Sequence, residues 1–244
     1  MNKICINGFI PAKDARHAGA FSNVRKIAFT LAEVLVTLGI IGVVSAMTVP
    51  SLMQNHQRKT YVTQLHKVYN EFSQAAVQYQ TDNNAVNLKE AGLIDQASAD
   101  KFIEKYFKIV QKCEDTQTPC FAPFSEYKKL TGNGLSSWVS PRSHYTTAGG
   151  VAIGIKYRPN GNVLCEIFID TNGAKGPNIA GRDLFPIFLY NNGIIDDNEF
   201  LETSDAPMTK EARDRMFNTV CNSSGSGWHG CFGKILNDNW EMTY

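Results

Sequence analysis

Apolar residues gather in one dense run near the start of the chain, then recur at spacings of three and four. From Phe29 to Val49, 21 residues carry a single charge, Glu33. As a helix rising about 1.5 Å per residue, that run spans roughly 31 Å. A bilayer's hydrocarbon core is about 30 Å thick, so the run predicts one membrane-crossing helix. Beyond Pro50 the pattern turns amphipathic: Leu65, Val68, Tyr69, Phe72, Ala75, Ala76 and Tyr79 form one stripe. Arg58, Lys59, Gln64, Lys67, Asn70, Glu71 and Gln74 fill the opposite face. Such spacing marks a helix with one buried side. Asp82-Asn83-Asn84 is its stop signal.

Later stretches are shorter. Ser98 reads as the cap of a second helix, with Phe102, Ile103, Tyr106, Phe107 and Val110 on one face. Residues 121–148 read as irregular, with one helical turn at 125–130. Val151–Tyr157 and Val163–Ile169 are β-branched and apolar, joined by a turn-forming Arg158-Pro159-Asn160-Gly161-Asn162. Leu184–Leu189 is a third strand, followed by an acidic loop with Asp196, Asp197 and Glu199. Thr209 caps a helix to Val220, and the tail from Gly233 closes on something apolar. These elements predict an α+β fold with a meander, in which one long N-terminal helix is half membrane-embedded and half docked on a globular domain.

Charge adds orientation. Residues 1–28 carry Lys3, Lys13, Arg16, Arg25 and Lys26 against Asp14, a net +4; the whole chain is +1, which leaves −3 for the rest. A basic flank stays cytoplasmic, so the remainder is expected outside the cytoplasm. The near balance of 24 basic and 23 acidic side chains gives no case for nucleic-acid binding. Cys113, Cys120, Cys165, Cys221 and Cys231 all follow the apolar run, where disulfides form. The close pairs point to Cys113–Cys120 and Cys221–Cys231, although sequence alone does not fix connectivity. Cys165, in an apolar strand, reads as a buried thiol. A zinc site from Cys221, His229 and Cys231 lacks the usual C-x-x-C spacing.

Glu33 is the odd residue. A carboxylate inside a membrane run costs roughly 2.5–3.5 kcal/mol and normally has a partner. With its surroundings it forms a motif: Arg25-Lys26, small Ala28, then Phe29-Thr30-Leu31-Ala32-Glu33 and a long apolar helix, with Pro50 further on. This segment resembles the N-terminal signal of type IV pilins and type II secretion pseudopilins. Alanine at position 28 departs from the commoner glycine, and 28 residues is a long leader. The resemblance covers about 30 of the 244 residues.

The resemblance implies a pilin-like fold, a long N-terminal helix packed on a small antiparallel sheet, in three parts: a cytoplasmic leader (1–28) that is removed, a transmembrane half-helix (29–49), and an extracytoplasmic domain (50–244) that includes the amphipathic half-helix 50–81. It implies cutting between Ala28 and Phe29 by a prepilin peptidase, with methylation of the new amine. It implies residence in the inner membrane as a single-pass protein, then transfer by an assembly platform there into a filament of pilin or pseudopilin subunits. Glu33 would pair with the Phe29 amine of a neighbouring subunit. Gly39, Gly42, Ser45 and Ala46 are small and allow helices to approach closely.

Two alternatives stay open. Val44-Ser45-Ala46 passes for an ordinary signal-peptidase site, which would make this a Sec-exported or membrane-anchored binding protein; Trp138 and Trp228 are then candidate contacts. An enzyme is disfavoured: no G-x-S-x-G, phosphate loop or H-E-x-x-H occurs, and His56, His66, His144 and His229 have no nucleophile motif beside them. No cofactor is called for except calcium. Some pseudopilins hold calcium in a loop beside the sheet, and Asp170, Asn172 and Asp183 lie in such a loop. Against this, Ala174 breaks the EF-hand spacing and Lys175 and Arg182 add positive charge. The simpler reading is a tight turn whose side chains bond local backbone.

Overall fold

A computed structural model describes residues 30–113, 116–136, 143–201 and 203–244. The chain divides into two units, Met1–Val49 and Pro50–Tyr244. Helix α1 (Leu31–Asp82) starts in the first and ends in the second, running through Pro50 without a break. It is long and apolar enough to cross a membrane.

The second unit is α+β. Its elements are α2 (Gln96–Tyr106), β1 (Ile109–Cys113), β2 (Ser143–Thr147), β3 (Ala152–Asn160), β4 (Val163–Asp170), β5 (Leu184–Tyr190), β6 (Ile195–Asp196), α3 (Lys210–Met216) and α4 (Cys231–Asn237). The strands form one antiparallel meander in the order β1-β2-β3-β4-β5-β6. Three of these six were expected. The other three lack the apolar alternation that marks a strand: β1 is mostly exposed, β2 is polar, and β6 has two residues.

The stripe on α1 is the centre of the core. Val62, Leu65, Val68, Phe72, Ala75 and Ala76 are buried with Ile153 and Ile155 of β3, Ile167 and Ile169 of β4, and Phe185, Ile187 and Leu189 of β5. Strand side chains alternate, so Phe168, Glu166, Leu184 and Phe188 face the other way. Phe168 and Leu184 meet Phe121, Tyr127 and Trp228 there. Both faces are covered, and all eight residues of β4 are buried.

Several local expectations need correcting. Helix α2 is capped by Asp95, whose side chain accepts from Ser98 N at 2.7 Å, while Ser98 Oγ accepts from Asp95 N at 3.0 Å. Ser98 is the third residue of the helix and the far end of this capping box. Val110 lies on β1 and is exposed, since α2 ends at Tyr106. His66 is half-buried and stacks on Trp240, with ring centroids 4.0 Å apart. The acidic segment after β5 is no open loop, because Asp196 and Asp197 are fully buried. Asp196 accepts from Arg213 Nε and Nη2 at 2.9 and 2.6 Å, tying β6 to α3. Asp197 accepts from Asn198 N, Gly230 N and Gly233 N, and burial pushes its carboxyl up to about 7.

Cys113 and Cys120 pair with Cα atoms 6.2 Å apart, and Cys221 and Cys231 with Cα atoms 5.3 Å apart. Both separations suit a disulfide. A disulfide sulfur does not serve as a zinc thiolate, which removes the zinc alternative. Cys165 is free and buried, and burial pushes its thiol up. Non-reducing peptide mapping should return these two links, with Cys165 alkylated only after denaturation. A Cys165–Cys221 peptide would be the contrary result.

Candidate functional site

The start of α1 is the first candidate. Ala28 and Phe29 lie outside the described residues. Glu33 does not: its Oε2 accepts from Thr30 N at 2.8 Å and Thr30 Oγ1 at 2.9 Å. Glu33 N donates to Thr30 Oγ1 at 3.2 Å, and Val34 N donates to Thr30 O. This is a capping box, Thr-x-x-Glu, which satisfies orphan amides of the first turn and places a carboxylate at the positive end of the helix. The signal is visible in the sequence but is overshadowed by the apolar run. It gives Glu33 a partner within its own chain.

From Leu31 to Met53 the large apolar side chains of α1 are exposed. A Cβ added at Gly39 or Gly42 would meet nothing within 4 Å. The surface is apolar, with small residues at steps of three, and can accept lipid or another helix.

The second candidate is the loop between β4 and β5. Asp170 closes β4, and Asp183 precedes β5; both are fully buried. Asp170 Oδ2 accepts from Tyr127 Oη at 2.7 Å and Oδ1 from Asn172 N at 3.2 Å. Asp183 Oδ1 accepts from Ile179 N at 2.6 Å and Oδ2 from Asn178 N at 2.8 Å. The Asn172 amide donates to Lys175 O and Gly176 O. Gly181, at φ +89°, packs where any Cβ would strike Cys231 Sγ.

All four carboxylate oxygens thus hold a protein donor, which is what a cross-braced turn requires. Asn172 Oδ1 and Asn178 Oδ1 are buried without a partner among the described residues. With them the side-chain oxygens only just reach the six to eight that calcium takes, and the four carboxylate oxygens among them already accept protein donors. No cluster of three His, Cys, Asp or Glu forms among the described residues. Burial raises both carboxyls, and Asp183 raises Asp170 further.

Of the proposed aromatic contacts, Trp138 lies outside the described residues. Trp228 is buried and stacks on Phe168 at 5.1 Å, so it forms a floor and not a projecting grip. His144 is buried, and burial lowers its pKa. His56 is exposed on α1. Comparison with known proteins gave no match: no family model, no curated protein and no solved structure is significantly similar to this chain.

Proposed function

We propose that this chain is a structural subunit of a type IV pilus-like filament or a type II secretion pseudopilus. A prepilin peptidase cuts it between Ala28 and Phe29, and an inner-membrane platform assembles it through α1 with other pilin or pseudopilin subunits. The observation that carries this reading is one helix with two surfaces. Its first part, Leu31 to Met53, is apolar and exposed, and its second buries a stripe against a sheet. Glu33, held at the first turn, supports it further. A carboxylate fixed there lies where the cationic amine of a neighbouring Phe29 would arrive. The pair would set register more than add stability, since each charge is costly in hydrocarbon until the other docks. The role is assembly and not turnover.

Mass spectrometry of the membrane-extracted protein tests this. The expected mature chain begins at N-methyl-Phe29. A chain beginning at Met47 would mean ordinary signal-peptidase cleavage after Ala46, and the filament reading would be lost in favour of a Sec-exported binding protein.

A further inference from the structure

At the start of the globular unit, α1 turns from apolar to basic within two turns. Leu52 and Met53 are 71% and 58% exposed, and Arg58 and Lys59 follow. Five residues of helix separate Met53 from Arg58, about 7.5 Å along the axis. The headgroup layer beyond a bilayer's hydrocarbon core is about 5–7 Å deep on each side. With Met53 as the last side chain in hydrocarbon, Arg58 and Lys59 lie at the level of the lipid phosphates.

Two cavities meet there and share Arg58 as a wall. The larger, about 450 Å³, lies between α1 and the C-terminal tail, with Lys59 and Val62 on one side and Trp240, Glu241 and Met242 on the other. The smaller, about 30 Å³, has Arg182 of the β4–β5 loop as a second basic wall. Both guanidiniums are half-buried. Neither they nor the Lys59 ammonium make a hydrogen bond or ion pair among the described residues. Folding alone does not explain two half-buried arginines lining one small cavity with no protein acceptor. Like charges placed together repel, and a guanidinium fork matches a phosphate.

The charges here do not cancel. Of the residues lining the two cavities, Arg58, Lys59 and Arg182 are basic and Glu241 alone is acidic. Asp170 and Asp183 act on Tyr61, which lines the smaller cavity. Both acids are fully buried, their oxygens accept from other donors, and burial pushes both toward the neutral form. An anion is therefore the class of ligand.

We propose that this face docks on the headgroup of an anionic phospholipid, with the phosphate on Arg58, flanked by Arg182 and Lys59. Lipid is favoured over free phosphate because the larger cavity also has an apolar wall, Val62, Trp240 and Met242. Exposed Leu52 and Met53 continue that apolar surface one to two turns earlier on α1. Half-buried Trp240 is the residue type that settles at a membrane interface. Basic side chains beside a membrane helix add attraction to anionic lipid one by one. The inference rests on the reading that α1 crosses a membrane. The site then belongs to the subunit waiting there, since a subunit drawn into a filament leaves the lipid behind.

The test uses the full chain, extracted from membranes in a neutral maltoside detergent and stripped of lipid. It is titrated with dioleoylphosphatidylglycerol or dioleoylphosphatidylcholine, and bound lipid is counted by native mass spectrometry. Phosphatidylglycerol should bind at least tenfold more tightly. Arg58→Gln with Arg182→Gln should remove that preference without lowering the melting temperature, since neither side chain holds a partner. Lys108→Gln, a cation lining a different cavity, should leave it intact. Arg25 and Lys26 attract anionic lipid equally in every variant that keeps the leader, so the difference between variants is the reading. Equal binding of the two lipids overturns the proposal, as does a preference that survives the double substitution or falls equally in Lys108→Gln. Inorganic phosphate retained with no preference between lipids would overturn it and assign a free anion. A dimer that the double substitution dissociates, again with no lipid preference, would overturn it and assign a second copy of the chain. A chain recovered without detergent in the soluble fraction would overturn the membrane reading as well; lost preference in a chain that stays with membranes overturns this inference alone.

Discussion

Glu33→Gln and Glu33→Ala should both abolish filament yield when the variant is the sole subunit, while both proteins still insert in the membrane. The two substitutions separate the roles the geometry gives this side chain. Glutamine serves as well as glutamate at the third position of a capping box, so Glu33→Gln keeps the Thr30 bonds and the helix start. Alanine loses them, which costs about 0.5–2 kcal/mol at a helix cap. Both remove a charge whose presence in hydrocarbon costs roughly 2.5–3.5 kcal/mol, so insertion should not suffer. If the charge pairs with a neighbour's amine, glutamine is as inert as alanine in assembly. Sheared-filament yield by electron microscopy, beside a membrane-fraction blot, reads both. Normal yield from Glu33→Gln with loss in Glu33→Ala would mean that assembly needs the cap and not the charge.

The parts of this fold written in local pattern were legible. The α1 stripe follows from residues three and four apart, and five of its seven expected members, Leu65, Val68, Phe72, Ala75 and Ala76, are fully buried; Tyr69 and Tyr79 pack against them. The hairpin between β3 and β4 follows from Gly161 at φ +57° between two apolar runs. Thr209 caps α3 by accepting from Ala212 N. What stayed hidden depends on partners distant in sequence. Ser143-His144-Tyr145-Thr146-Thr147 has no apolar alternation and is a strand because β1 and β3 pair with it. Asp196 and Asp197 read as solvated until Arg213, Gly230 and Gly233 arrive from α3 and α4. At the N-terminus the motif was plain, yet the Thr30–Glu33 box went unread because membrane cost dominated the reading.

Asp183→Ala should destabilise the globular unit by about 2–4 kcal/mol, and Asp183→Asn by about half as much. The alanine variant strands a buried amide, Asn178 N, and a half-buried one, Ile179 N, a buried one costing roughly 1–3 kcal/mol when left unpaired. Asparagine keeps one acceptor and turns an amide toward the other. Against a total stability of about 5–15 kcal/mol, either change is large. Chemical denaturation at fixed pH measures it, and equal effects from the two variants would mean that the loop's bracing lies elsewhere. The same experiment separates a braced turn from a calcium loop. Burial raises the Asp170 and Asp183 carboxyls, so their share of stability is fully present below about pH 4 and falls as pH rises through the folded values. Half-buried His229 works oppositely: desolvation lowers its pKa to about 4, and its share is lost as pH falls from about 6.5 toward that value. Calcium therefore has its best opportunity on the alkaline side, where the carboxyls are most ionised and His229 is neutral in either state. With every carboxylate oxygen already holding a protein donor, millimolar calcium should leave the melting temperature at pH 8 unchanged. A rise that Asp170→Ala abolishes would instead make Asp170, Asn172 and Asp183 cation ligands.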